Sequence, residues 1–127
     1  MFETVLFPIH QCREPLETAG KALELARMHS SRVLLLSVLQ PEQPKMHYQE
    51  AVASLLTCAK QRFQQSGVVC ESIEREGKPA LAICDVVDEL NVDVIVMGTR
   101  GVNLEAESGS TASRVIQLAP CPVLVVP

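Results

Sequence analysis

The chain has 127 residues, 47% of them hydrophobic and 20% charged, with a formal net charge of −4, the size and composition of one globular domain over residues 1–127. Three Phe, one Tyr and no Trp exclude a stacking platform for single-stranded nucleic acid, and the acidic balance excludes the basic footprint of a nucleic-acid binder. No apolar run approaches the roughly 20 residues of a membrane span, and the start Met1-Phe2-Glu3-Thr4 lacks a signal peptide's basic start and cleavage site, so a cytoplasmic protein is expected.

Thr4-Val5-Leu6-Phe7 reads as a first buried strand, ended by Pro8, which cannot donate to a sheet ladder. A turn through Ile9, His10, Gln11, Cys12 and Arg13 leads to a helix with Glu14, Pro15 and Glu17 in its first turn, where proline and acidic residues are favoured. Leu16, Ala19, Leu23 and Ala26 recur at helical spacing to about His29. Arg32 to Leu39 is a second, almost wholly apolar strand, and the proline-bearing stretch Gln40 to Pro44 is a loop. Val52, Leu56, Ala59 and Phe63 mark the next helix, which Gly67 closes as a C-cap. Val68 to Ile73 mixes polar with apolar residues, which suits a strand at a sheet edge.

Gly77-Lys78-Pro79 starts a third helix with Ala80, Ile83, Val87 and Leu90 on one face. Asp93-Val94-Ile95-Val96-Met97 is a β-branched apolar run, the pattern of a strand buried on both faces. It breaks at Gly98-Thr99-Arg100-Gly101, where the glycines permit torsions that other residues avoid. Gly109-Ser110-Thr111 opens a helix from Ala112 to Leu118, which Pro120-Cys121-Pro122 stops, and Val123-Leu124-Val125-Val126 is a fifth strand.

Strands alternating with helices imply an α/β fold: an open, doubly wound, Rossmann-like parallel sheet of five strands with helices on both faces. The expected strand order is 3-2-1-4-5. Ligands of such sheets bind beyond the carboxyl ends of the strands where the order reverses, here between the first and fourth. The loops Pro8–Cys12 and Gly98–Gly109 meet there. Strand, glycine turn and helix start together form an arrangement able to hold an anion, most often a phosphate.

Several ordered segments of the chain resemble the universal stress protein family: Val5-Leu6-Phe7-Pro8, Gly77-x-Pro79, Ile95-Val96-Met97-Gly98-Thr99-Arg100-Gly101, and Ala119-Pro120-Cys121-Pro122-Val123-Leu124-Val125-Val126. The resemblance implies an open α/β fold, homodimerisation through the last strand, and, in one branch of the family, ATP binding. Carried onto this chain, it places an adenine-nucleotide site, for ATP or AMP, at Pro8, Ile9, His10, Val38, Met97, Gly98, Arg100, Gly101, Gly109, Ser110 and Thr111, and a dimer interface at Val123, Leu124, Val125 and Val126.

Two departures from the nucleotide-binding pattern, Gly-x2-Gly-x9-Gly-(Ser/Thr), stand out. Seven residues separate Gly101 from Gly109, so the phosphate loop is shorter by two, and it carries Glu105 and Glu107, whose charge opposes phosphate. His10 stands where the family usually has an aspartate that accepts hydrogen bonds from ribose hydroxyls. The expectation is a non-enzymatic regulatory binding protein of the stress response in which ATP binding is weak or absent. No nucleophile elbow with Ser, His and Asp and no acidic cluster fit for a metal is present.

The alternative reading makes Cys12 a redox-sensing thiol, beside His10 and Arg13 and just ahead of a helix, conditions that lower a thiol pKa. Glu14 and Glu17 oppose it. The five cysteines have no paired spacing and read as buried free thiols, with Cys70 on a strand and Cys58 and Cys84 near apolar helix faces. His29 and His47 read as solvated surface residues.

Overall fold

The computed structural model describes residues 2–9, 16–39, 45–98 and 111–126. They form strands β1 (Thr4–Ile9), β2 (Arg32–Leu39), β3 (Cys70–Glu76), β4 (Val94–Gly98) and β5 (Val123–Val126), and helices α1 (Leu16–His29), α2 (Lys45–Gln65), α3 (Pro79–Leu90) and α4 (Thr111–Leu118). The five strands make one sheet in the order β3-β2-β1-β4-β5, and every pairing is parallel, as expected.

Side chains of a strand alternate between the faces of its sheet, so each apolar run feeds two cores. Val5, Phe7, Val33, Leu35, Val94 and Val96 meet Ala19, Ala22 and Ala26 of α1 and Ala59 and Phe63 of α2. Leu6, Leu34, Leu36, Ile95 and Met97 meet Ala80, Ile83, Val86 and Val87 of α3 and Val115 of α4. The chain thus covers one face while it winds from β1 to β3 and the other while it winds from β3 through β4 to β5. That change of direction is the doubly wound arrangement, and it leaves β1 and β4 as neighbours whose connections depart to opposite sides.

Local chemistry sets the element ends. Gly67 follows α2 at φ +79°, its N–H donating to the carbonyl of Gln64 at 3.0 Å, the left-handed cap expected of it. Pro79 opens α3, and Asn91 closes it at φ 53° with its N–H on the Val87 carbonyl. At the amino end of the sheet, the Asp93 carboxylate accepts the Thr4 N–H at 2.9 Å while the Asp93 N–H donates to the Thr4 carbonyl at 2.9 Å. This two-way clamp fixes the β1–β4 register one step ahead of the Val5–Val94 pair.

Two expectations are corrected. Pro8 does not end the first strand, which runs on to Ile9 with Pro8 opposite Leu36 and Ile9 opposite Ser37 of β2. The third strand occupies Cys70–Glu76 rather than Val68–Ile73, pairing from Val33–Cys70 to Leu39–Glu76. Its pattern of buried, exposed and half-buried residues is that of the edge strand predicted. The second helix begins at Lys45, directly after the stretch Gln40 to Pro44 expected as a loop.

Candidate functional site

The missing hydrogen of Pro8 explains where the pairing of β1 with β4 ends. Backbone groups of successive strand residues point alternately to the two neighbouring strands. Thr4 bonds toward β4, through Asp93, and Glu3 toward β2, through the Arg32 N–H. Pro8 has the parity of Thr4, so the position without a donor faces β4. Pairing of β1 with β4 is confined to Val5–Val94 and Leu6–Ile95, whereas pairing with β2 continues to Ile9. Hydrogen-bonded pairing of the two central strands therefore stops short of their carboxyl ends, at the point where the winding changes direction.

The described candidate residues gather around this point. Pro8 is half-buried and Ile9 buried at the end of β1, Val38 is buried near the end of β2, and Met97 and Gly98 finish β4. Val38 and Met97 belong to the core on the α3 and α4 side, and Ile9 to the one on the α1 and α2 side. Val38 and Met97 are 8% and 6% exposed, and they pair with Arg75 of β3 and Val125 of β5. His10, Arg100, Gly101, Gly109 and Ser110 lie outside the described residues, as do Glu105, Glu107 and Cys12; Thr111 begins α4, but its side chain is not described.

The role of Gly98 differs from the one expected. Its φ is not in the positive range, so torsional freedom is not what the position uses. A Cβ built there would stand 2.7 Å from the Thr18 Oγ1 of α1 and 3.6 Å from the Val126 carbonyl oxygen. Glycine lets α1 approach the end of β4. Thr18, only 9% exposed, is a residue that sequence reasoning missed, because its partner is 80 positions away in the chain. Ser37, 1% exposed, also interrupts an apolar strand beside the switch point, and its hydroxyl donates to the Ile73 carbonyl at 3.5 Å. The break in Leu-Leu-Leu-Ser-Val-Leu was the available signal.

The thiols are more varied than expected. Cys70 is buried, Cys58 exposed, and Cys84 and Cys121 half-buried. Burial pushes the Cys70 thiol up to about 11, against a smaller opposing effect of Lys60. Burial also raises the Cys84 and Cys121 thiols, ahead of nearby carboxylates. His29 is half-buried rather than solvated, its ring edge-to-face with Phe2 at 5.2 Å; His47 has no described side chain. Among the described residues no group of three or more His, Cys, Asp or Glu side chains could hold a metal ion, and no helix is long and apolar enough to cross a membrane.

An open, doubly wound parallel sheet whose winding reverses between β1 and β4 defines the class: a Rossmann-like α/β protein. The sequence profile of the universal stress protein family matches residues 1–127, and the chain belongs to that family. It is 45% identical to universal stress protein Sll1654 of Synechocystis, over 100% of this chain and 87% of that protein. Its fold superposes on a universal stress protein from Archaeoglobus fulgidus solved in complex with dAMP, with a TM-score of 0.81, 23% identity and 100% of both chains covered. A second universal stress protein, solved in complex with cAMP, gives a TM-score of 0.79 at 22% identity, over 98% of this chain and 96% of that one.

Proposed function

We propose that this protein is a non-enzymatic, cytoplasmic regulatory member of the universal stress family whose adenine-nucleotide crevice is weakened, so that ATP binds poorly or not at all. The change of winding direction between β1 and β4 carries the reading, because it brings the carboxyl ends of the two strands, at Pro8–Ile9 and Gly98, to the switch point where ligands of such sheets bind. Relatives of the same fold have been solved with dAMP and cAMP, which supports a nucleotide as the ligand class. His10 follows directly on Ile9, the last residue of β1, and supplies an imidazole where a carboxylate is expected to take the ribose hydroxyls. Losing a charged acceptor costs about 1.5–3 kcal/mol, or roughly ten- to a hundredfold in affinity, of which one imidazole nitrogen recovers part. Glu105 and Glu107 add charge of the wrong sign for phosphate.

The test is differential. His10→Asp should tighten ATP binding by about tenfold or more. An unchanged dissociation constant would mean that position 10 does not meet the ribose.

The same reading includes a homodimer formed through Val123, Leu124, Val125 and Val126. β5 is the edge strand of the sheet, and Leu124 on it is 41% exposed.

A further inference from the structure

Gly98 ends β4 at the switch point, and it is held there unevenly. On one side it pairs with Val126 of β5. On the other, the described pairing of β4 with β1 stops at Leu6–Ile95, short of Gly98. Alternation fixes which way the residue faces. Val94 and Val96 point into the core beneath α1 and α2, so the missing side chain of Gly98 points there too.

α1 comes down on that position. Its buried residues in this core are Ala19, Ala22 and Ala26, and a close-packed interior leaves no gap beneath side chains so small. Thr18, one step before Ala19, is buried with them. Its Oγ1 stands 2.7 Å from where a Gly98 Cβ would be, and the Val126 carbonyl oxygen lies 3.6 Å from the same point. The first turn of α1, the last residue of β4 and the last residue of β5 thus meet at the carboxyl edge of the sheet.

We propose that Thr18 is a positioning residue for the nucleotide: packed on Gly98, it fixes the end of β4 that the ligand meets, without touching the ligand itself. The inference rests on the reading of the switch point as an adenine-nucleotide site. Thr18 is buried, so a bound nucleotide reaches the Gly98 backbone rather than the Thr18 side chain. With no described β1 partner beside it, Gly98 is kept in place by its ladder to Val126 and by Thr18 across the face of the sheet. Removing the Thr18 γ atoms leaves a space into which the strand end relaxes, and a methyl added at Gly98 drives it the other way. Either displacement costs affinity, because groups that meet a ligand must be held close to the productive geometry. Made together, the two changes compensate, since the added methyl takes the space that Thr18 gives up.

The test is titration calorimetry with dAMP, the nucleotide held by the Archaeoglobus fulgidus relative. The proteins are the wild type, Thr18→Ala, Thr18→Ser, Gly98→Ala and the Gly98→Ala/Thr18→Ala double variant, each shown by circular dichroism to be folded under the titration conditions. Thr18→Ala should weaken dAMP binding by about threefold or more. Thr18→Ser, which keeps the oxygen that faces Gly98, should recover most of that loss. Gly98→Ala should weaken binding as well, and the double variant should bind more tightly than Gly98→Ala alone. A part played in stability alone would lower the unfolding midpoint of Thr18→Ala and leave the affinity of the folded protein unchanged. Should Gly98→Ala fail to fold, the comparison of Thr18→Ala with Thr18→Ser decides. The proposal is overturned if Thr18→Ala binds as tightly as the wild type, if Thr18→Ser loses as much as Thr18→Ala, or if the double variant binds no better than Gly98→Ala; the nucleotide reading survives each of these results. A wild-type protein that does not bind dAMP overturns both.

Discussion

At Gly98 a single missing side chain decides how closely two elements approach. The Thr18 Oγ1 lies 2.7 Å from where a Cβ would be, well inside any contact that a real Cβ tolerates. Thr18 is itself 9% exposed and has little room to retreat. Gly98→Ala should therefore lower stability by about 1–3 kcal/mol through overpacking, and Thr18→Ala in the same chain should recover part of that loss. Urea unfolding of the two single variants and the double variant measures it; an unchanged midpoint for Gly98→Ala would show that α1 moves away freely. The sequence marks Gly98 as special but misstates why. A strand-end glycine before a second glycine reads as a turn, and only the fold reveals that a helix residue 80 positions earlier occupies the space. The thiols teach a similar point. Cys58 precedes the buried Ala59 on α2 yet is exposed, because one step along a helix is a rotation of about 100°.

Among the elements, β1 and β4 are hydrogen-bonded at one end and unpaired at the other, and each end has a residue responsible. Asp93 closes the amino end by accepting the Thr4 N–H on its carboxylate, a charge-assisted bond beside the buried Thr4. Asp93→Ala should cost about 1.5–3 kcal/mol of stability, and Asp93→Asn, which keeps an acceptor oxygen, distinctly less. Equal losses in thermal or urea unfolding would count against the clamp. Pro8 ends the pairing at the other, because it has no N–H to give toward β4. The alternation of strands and helices and the order of the strands were legible because each apolar run and each amphipathic repeat stands clear of its neighbours. The reach of β1 was not, because whether proline ends a strand depends on which neighbour its missing donor faces. Here β2, on the donor-bearing side, carries the pairing on to Ile9. The start of β3 was misplaced for a related reason: an edge strand is held by its ladder to β2 from Val33–Cys70 onward, and apolar content does not mark where a ladder begins.

The whole molecule presents two surfaces that the fold leaves unfinished: the outer edge of β5 and the crevice. Val123–Val126 is uninterrupted by charge, with β4 on one side and no described strand on the other, and such an apolar edge is normally paired or covered. Antiparallel pairing with the same strand of a second copy about a two-fold axis would satisfy both edges at once. Light scattering should find twice the monomer mass, and Val125→Lys should return it to monomer; a wild-type chain that remains monomeric at high micromolar concentration would contradict the dimer. The crevice was legible as a place, since the switch point follows from strand order alone. Its chemistry was legible only by resemblance, because His10 and the stretch from Gly101 to Ser110, which carry the departures from the nucleotide-binding pattern, lie outside the described residues. Titration calorimetry of the wild-type protein with ATP meets that chemistry directly. A dissociation constant well above the low micromolar range is expected, and a submicromolar constant would contradict a weakened nucleotide site.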